Sequence, residues 1–243
     1  MVPTPHTTKL GITVSGKQML HEQSSPYTVL FFIRHGQVEN PQKVIYERLP
    51  GFHLSEKGQQ QVQTTARYLT QLDHAVHATA LYSSPLDRTV ETAQILLKEL
   101  NTTREENNLI PLSLTTDPHL IEAGNAFRGQ RLGHGKATPF SRHNLAKYLN
   151  IWKPGWGESY AHISQRMCEF TFDQVDAHPG ESLIIVSHES PIWTLCQYLE
   201  TGKASSNVLS RETALASITT LLIEPYTHCL KNVWYIDPNK ETL

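Results

Sequence analysis

Two hydrophobic patterns alternate along this chain. The first is a short continuous run. "YTVLFFI" (27–33) is apolar at nearly every position and rich in β-branched and aromatic side chains. Such a run predicts a central strand buried on both faces, since a half-exposed strand would alternate with polar residues. "SLIIVSH" (182–188) repeats the pattern. "TALYSS" (79–84) and "LSLTTD" (112–117) read as shorter strands, and "ALASITTLLIE" (214–224) and "NVWYID" (232–237) as two late strands suited to a hairpin.

The second pattern is helical. In "SEKGQQQVQTTARYLTQL" (55–72), Val62, Ala66 and Leu69 fall on one face. Ser55 is placed to cap that helix, and Glu56 suits its positive end. "PLDRTVETAQILLKEL" (85–100) and "PIWTLCQYL" (191–199) each begin with a proline, which the first helical turn accepts. "SYAHISQRMCEFTFDQVDAH" (159–178) completes the set.

Strands alternating with helices predict an α/β fold: a three-layer α/β/α sandwich around an open, mostly parallel central sheet. Residues 1–26 are polar and weakly periodic, and read as a flexible extension; 27–243 read as a single domain. Within it, about 123–157 is rich in Gly, Pro, Arg and His and reads as an irregular lid insertion with a short helix around "SRHNLAKYL" (141–149). Phe140, Tyr148, Trp152 and Trp156 lie there, either packing the lid locally or walling the organic part of a substrate.

Composition narrows the partners. The chain has 243 residues, 39% hydrophobic and 18% charged, enough for one sizeable core. A net charge of −2 gives no reason to expect nucleic acid. No apolar run approaches the roughly 18 residues that cross a membrane. Cys168, Cys196 and Cys229 form no CxxC pair and are expected to be buried free thiols in a reducing compartment. The N-terminus has no compact apolar segment behind a basic start, so a cytoplasmic location is expected. The 13 histidines show no ligand spacing such as HExxH, so neither metal nor cofactor is expected.

In open α/β sheets, ligands bind beyond the carboxyl ends of the strands. Just past the first strand stand Arg34, His35 and Gly36; past the second, "SSPLDR" ends in Arg88; past the third, "DPHLIE" ends in Glu122; past the fourth stand Ser187 and His188. Two guanidiniums match phosphate oxygens, and a helix N-terminus beside Arg88 adds partial positive charge. An imidazole among cations resists protonation and can attack phosphorus. A carboxylic acid can protonate the leaving oxygen and then activate water. Glu39 and Glu158 compete with Glu122 for that role. Gly36 is expected to let the backbone approach the phosphate.

The blocks "RHGQVEN", "LSEKGQQQV", "LYSSPLDRTVETA", "HLIEAGNAFRG", "GES" (157–159) and "IIVSHESPI" together resemble the histidine phosphatase superfamily, which includes cofactor-dependent phosphoglycerate mutases and many phosphatases. The resemblance covers 28 to about 200, in order. It implies a phosphoglycerate mutase-like fold, with His35 as the nucleophile that becomes phosphohistidine and Glu122 as the proton donor. It further implies that Arg34, Arg88, His188 and Asn40 hold the phosphoryl group. Three departures are visible: Asn40 comes one residue early, Arg128-Gly129 stands where Glu-Gly is common, and Glu189 stands where Gly usually follows the second histidine. The expected function is metal-independent phosphomonoester hydrolysis of a small phosphorylated substrate. A mutase is the first alternative, for which Arg128, Arg131, Lys136 and Arg142 are available cations; a non-catalytic phospho-ligand binding module is the second.

Overall fold

A computed structural model of the chain describes residues 26–124, 128–131, 157–204 and 213–240. Six strands form one sheet: β1 (Thr28–Arg34), β2 (Ala80–Ser83), β3 (Leu114–Thr116), β4 (Ser182–Ser187), β5 (Ile218–Ile223) and β6 (Leu230–Ile236). Their spatial order is β3-β2-β4-β1-β5-β6. The β1–β4, β2–β4 and β2–β3 pairings are parallel, while β5 runs antiparallel to both β1 and β6. The sheet is therefore mostly parallel, with the expected late hairpin at one edge.

Helices cover both faces. α1 (Glu56–Leu69) and α3 (Asp87–Glu106) lie on one side, with the single turn α2 (Asp73–Val76) between them in sequence; α4 (Tyr160–Ala177) and α5 (Glu189–Thr201) lie on the other. The pleat of β1 divides its side chains accordingly. Val29, Phe31 and Ile33 pack with Val62, Ala66, Leu69 and Leu96 in one core. Leu30 and Phe32 pack with Ile163, Met167, Phe170 and Leu195 in the other. Residues 29–33 are all buried, each contributing roughly 1.5–3 kcal/mol of burial. That double burial is why the run had to be continuous.

Local boundaries follow capping chemistry. Ser55 caps α1 by accepting from the Gly58 amide at 3.1 Å. α3 starts at Asp87 and reaches Glu106, beyond the expected end near residue 100, because Leu100 and Arg104 still face inward. Arg104 is held there by the carbonyls of Val76, Ala78 and Ile110. α5 begins at Glu189, two residues before Pro191. Cys168 and Cys196 are buried free thiols as expected, but Cys229 is exposed, since it lies in the turn leading into β6.

The proposed extension and most of the proposed lid, including Phe140, Tyr148, Trp152, Trp156, Lys136 and Arg142, lie outside the described residues. Among the described residues, no helix is long and apolar enough to cross a membrane.

Candidate active site

The carboxyl ends of β1, β2 and β4 lie side by side, so the residues just beyond them meet. The His35 backbone is fixed on both flanks: its N–H donates to Ser187 O at 3.2 Å, and its carbonyl accepts from Ala216 N at 3.2 Å. His35 is thus held by the sheet rather than by a free loop.

The His35 ring is 2% exposed. Its Nδ1 lies 2.8 Å from the Gly36 carbonyl, which only an N–H can satisfy. The proton therefore sits on Nδ1, and Nε2 carries the lone pair. Burial, then the charges of Arg88 and Arg34, hold this imidazole well below its ordinary pKa, against a smaller opposing effect of the Gly36 carbonyl. Nε2 is consequently a neutral, unprotonated nitrogen at neutral pH.

Arg88 links the two histidines. It is fully buried in the first turn of α3, where its Nε approaches His35 Nε2 at 3.4 Å and its Nη2 approaches His188 Nδ1 at 3.3 Å. Because Arg88 only donates, His188 Nδ1 accepts. The His188 proton then lies on Nε2, which donates to Ser84 Oγ at 2.8 Å. Burial and the Arg88 charge keep His188 neutral too. Arg88 Nη2 also donates to the Glu47 carbonyl, and its guanidinium lies over the Tyr46 ring at 4.9 Å. Its Nη1 is buried with no partner among the described residues, as is Nε of Arg34. Two buried cationic donors without acceptors suit an arriving oxyanion.

Glu122 follows the 3-10 turn Pro118–Leu120, which Asp117 caps and which Ser187 Oγ ties to β4 through Leu120 O at 2.8 Å. Its Oε2 lies 3.9 Å from His188 Nδ1; with His188 neutral this is proximity rather than an ion pair. Burial raises the Glu122 pKa, against the Ala123 amide at 2.8 Å and the charges of Arg88 and Arg34. Its rivals differ. Glu39 is exposed. Glu158 is also raised by burial, but Arg166, His162 and Arg48 outweigh that and keep it ionised.

The structure thus brings His35, Arg34, Arg88, His188 and Glu122 to one sheet edge. Asn40 is engaged locally. Its amide donates to Val44 O at 2.9 Å and accepts from Val44 N at 3.1 Å, closing the turn that leads to Tyr46. A Cβ on Gly36 would sit 2.5 Å from Gly58 O and 2.8 Å from Val62, so the packing of α1 by itself requires smallness there. Ser84, Tyr46 and the Glu47 carbonyl were not singled out from sequence. Ser84 at least stands in the "SSPLDR" block, whereas nothing in the 40–48 loop marks Tyr46. Arg128 and Arg131 are exposed, and the segment carrying them pairs with the loop at Ile45.

Comparison with known proteins agrees with the fold. The chain is 35% identical over 201 residues to Uncharacterized protein Rv0525 of Mycobacterium tuberculosis (strain ATCC 25618 / H37Rv), covering 81% of this chain and 91% of the relative. Bacillus stearothermophilus YhfR shares the fold at a TM-score of 0.64 and 24% identity, over 84% of this chain and 94% of its own. Phosphoglycerate mutase from Bacillus anthracis str. Sterne does so at 0.65 and 21%, over 89% and 96%. Mycobacterial glucosyl-3-phosphoglycerate phosphatase Rv2419c, solved with VO3, does so at 0.61 and 22%, over 79% and 90%. The sequence pattern of the histidine phosphatase superfamily (branch 1) matches residues 30–234, and the chain belongs to that superfamily.

Proposed function

We propose that this protein hydrolyses phosphomonoesters through a phosphohistidine on His35. The observation that carries the reading is the His35 Nδ1–H held by the Gly36 carbonyl, which puts the ring's lone pair on Nε2, facing the Arg88 guanidinium that also reaches His188. In the first step Nε2 attacks phosphorus, the P–N bond forms and the P–O bond to the alcohol breaks. Glu122 gives its proton to the leaving oxygen. In the second step Glu122, now a carboxylate, takes a proton from water as that water attacks phosphorus. The P–N bond breaks, inorganic phosphate leaves and His35 is restored. Charge on the transferring group is met by Arg34, Arg88 and the N-terminus of α3. The substrate is a small phosphorylated molecule.

The test is hydrolysis of p-nitrophenyl phosphate by wild type and His35→Ala, with intact-mass detection of the phosphoenzyme. Hydrolysis in wild type and its loss by roughly a thousandfold in the variant are expected. Hydrolysis that survives in His35→Ala overturns the mechanism. Interconversion of phosphoglycerates, with no net phosphate release, favours the mutase instead.

A further inference from the structure

Glu158 is ionised, half-enclosed and far from idle. Its side chain is 9% exposed, yet it meets two guanidiniums: Arg48 Nη2 at 2.7 Å, and Arg166 through Nε at 3.1 Å and Nη2 at 3.2 Å. Desolvating three charges together is a poor way to gain stability, since the desolvation cost cancels much of the attraction. The arrangement therefore calls for another purpose, and the remaining donors of the two arginines supply it. Arg48 Nε donates to the main-chain carbonyl of Glu122 at 2.6 Å, and Arg166 Nη1 donates to the carbonyl of His119. Glu158 also accepts from the Gly124 amide at 3.4 Å, and its own amide donates to the Gly124 carbonyl at 2.9 Å. The short segment that carries Glu122 is thus gripped before, at and after that residue by groups organised around one carboxylate.

We infer that Glu158 and Arg48 are positioning residues for Glu122, aiming its carboxyl at the leaving-group oxygen. The inference rests on the proposed acid role of Glu122 and adds the device that sets its geometry. Arg48 belongs to the same loop as Tyr46 and Glu47, which contact Arg88, so the acid is placed relative to the phosphate-binding guanidinium. An error of about 1 Å in a proton donor is enough to cost roughly 10²-fold in rate.

A positioning role differs from a structural one in which substrates suffer. p-Nitrophenolate leaves with little need of a proton, whereas phenolate needs one, and the two esters are of similar shape. kcat/KM reports the steps through the first phosphoryl transfer. It is measured for p-nitrophenyl phosphate and phenyl phosphate with wild type, Glu122→Gln, Glu158→Gln and Arg48→Met, with circular dichroism to establish folding. Glu122→Gln is expected to lose far more on phenyl phosphate than on p-nitrophenyl phosphate. Glu158→Gln and Arg48→Met are expected to lose roughly 10- to 100-fold on phenyl phosphate, and less than about threefold on the nitro ester. Arg48 is partly exposed, so its variant decides the matter if Glu158→Gln does not fold. Equal losses on both esters, alongside a selective loss in Glu122→Gln, overturn the positioning role alone. A Glu122→Gln variant that does not distinguish the esters overturns the acid assignment, and this inference with it.

Discussion

Arg34, at the last position of β1, is paired with Glu189, at the first position of α5, with Nη1 2.8 Å from Oε2. The same Nη1 donates to Thr213 O at 2.5 Å. Two acceptors therefore fix one arm of the guanidinium and leave its buried Nε for a ligand. The pair also places a negative charge beside the anion site. That charge comes from a residue that stands where the family resemblance leads one to expect glycine.

The charge effect should dominate affinity. Glu189→Gln keeps a hydrogen-bonding group for Arg34 and removes the repulsion of a phosphate dianion. Inorganic phosphate should then inhibit about fivefold more strongly, with KM for p-nitrophenyl phosphate falling in parallel, the scale expected for a partly exposed charge pair. Unchanged or weaker inhibition by phosphate would show that Glu189 helps Arg34 more than it opposes the ligand.

Arg88 must touch His35, His188 and the Glu47 carbonyl from one side chain. Lysine keeps the charge but lacks the planar fork that reaches three acceptors at once. Arg88→Lys should lower kcat/KM roughly 10²- to 10³-fold, the scale of losing one preorganised donor at the developing charge. Steady-state kinetics on protein with a wild-type circular dichroism spectrum checks this. A loss below about tenfold would mean that charge alone suffices.

The backbone near the nucleophile depends on α1 as well. A Cβ on Gly58 would lie 2.0 Å from the Gln37 carbonyl, two residues past His35. Gly58→Ala should therefore cost roughly 1–3 kcal/mol by overpacking. Urea denaturation checks the value, with the exposed neighbour Gln59→Ala as a near-neutral control. A neutral Gly58→Ala would mean that the loop gives way freely, and its activity should then be close to wild type.

What sequence could reveal here depended on how local each cause was. Arg34, His35 and His188 were legible because a buried apolar run that ends in a charged or titratable residue needs a reason, and position past a strand supplies one. Arg88 was legible from its place just past the second strand, within the block "SSPLDRTVETA"; Pro85, expected in the first turn of its helix, instead precedes a helix that starts at Asp87. Tyr46 and Arg48 were not, because the course of the 40–48 loop is set by contacts distant in sequence, such as Ile45 N with Gln130 O at 2.9 Å. Glu158 was visible as a rival acid and within the "GES" block, but not as the partner of two arginines: these come from residues 48 and 166, and no spacing announces that pairing. Gly36 was recognised as requiring smallness, but the group it accommodates, the Gly58 carbonyl, lies across the fold.

The pH profile should separate the two titrating groups of the mechanism. The first transfer needs His35 neutral and Glu122 protonated. His35 is depressed by burial and by the arginines, so it becomes protonated only well below its ordinary value of 6.5. Glu122 is raised above 4.5 by burial, so it keeps its proton further up the scale than a solvated carboxyl. kcat/KM for phenyl phosphate should accordingly be greatest on the acid side of neutrality and fall as pH rises through the Glu122 pKa. Ionisation of the ester itself contributes to that fall, but equally in every variant, so the comparison with Glu122→Gln isolates the protein group. The variant should be less active overall and have a shallower basic limb. A basic limb of the same slope and midpoint in both proteins would show that Glu122 does not donate the proton.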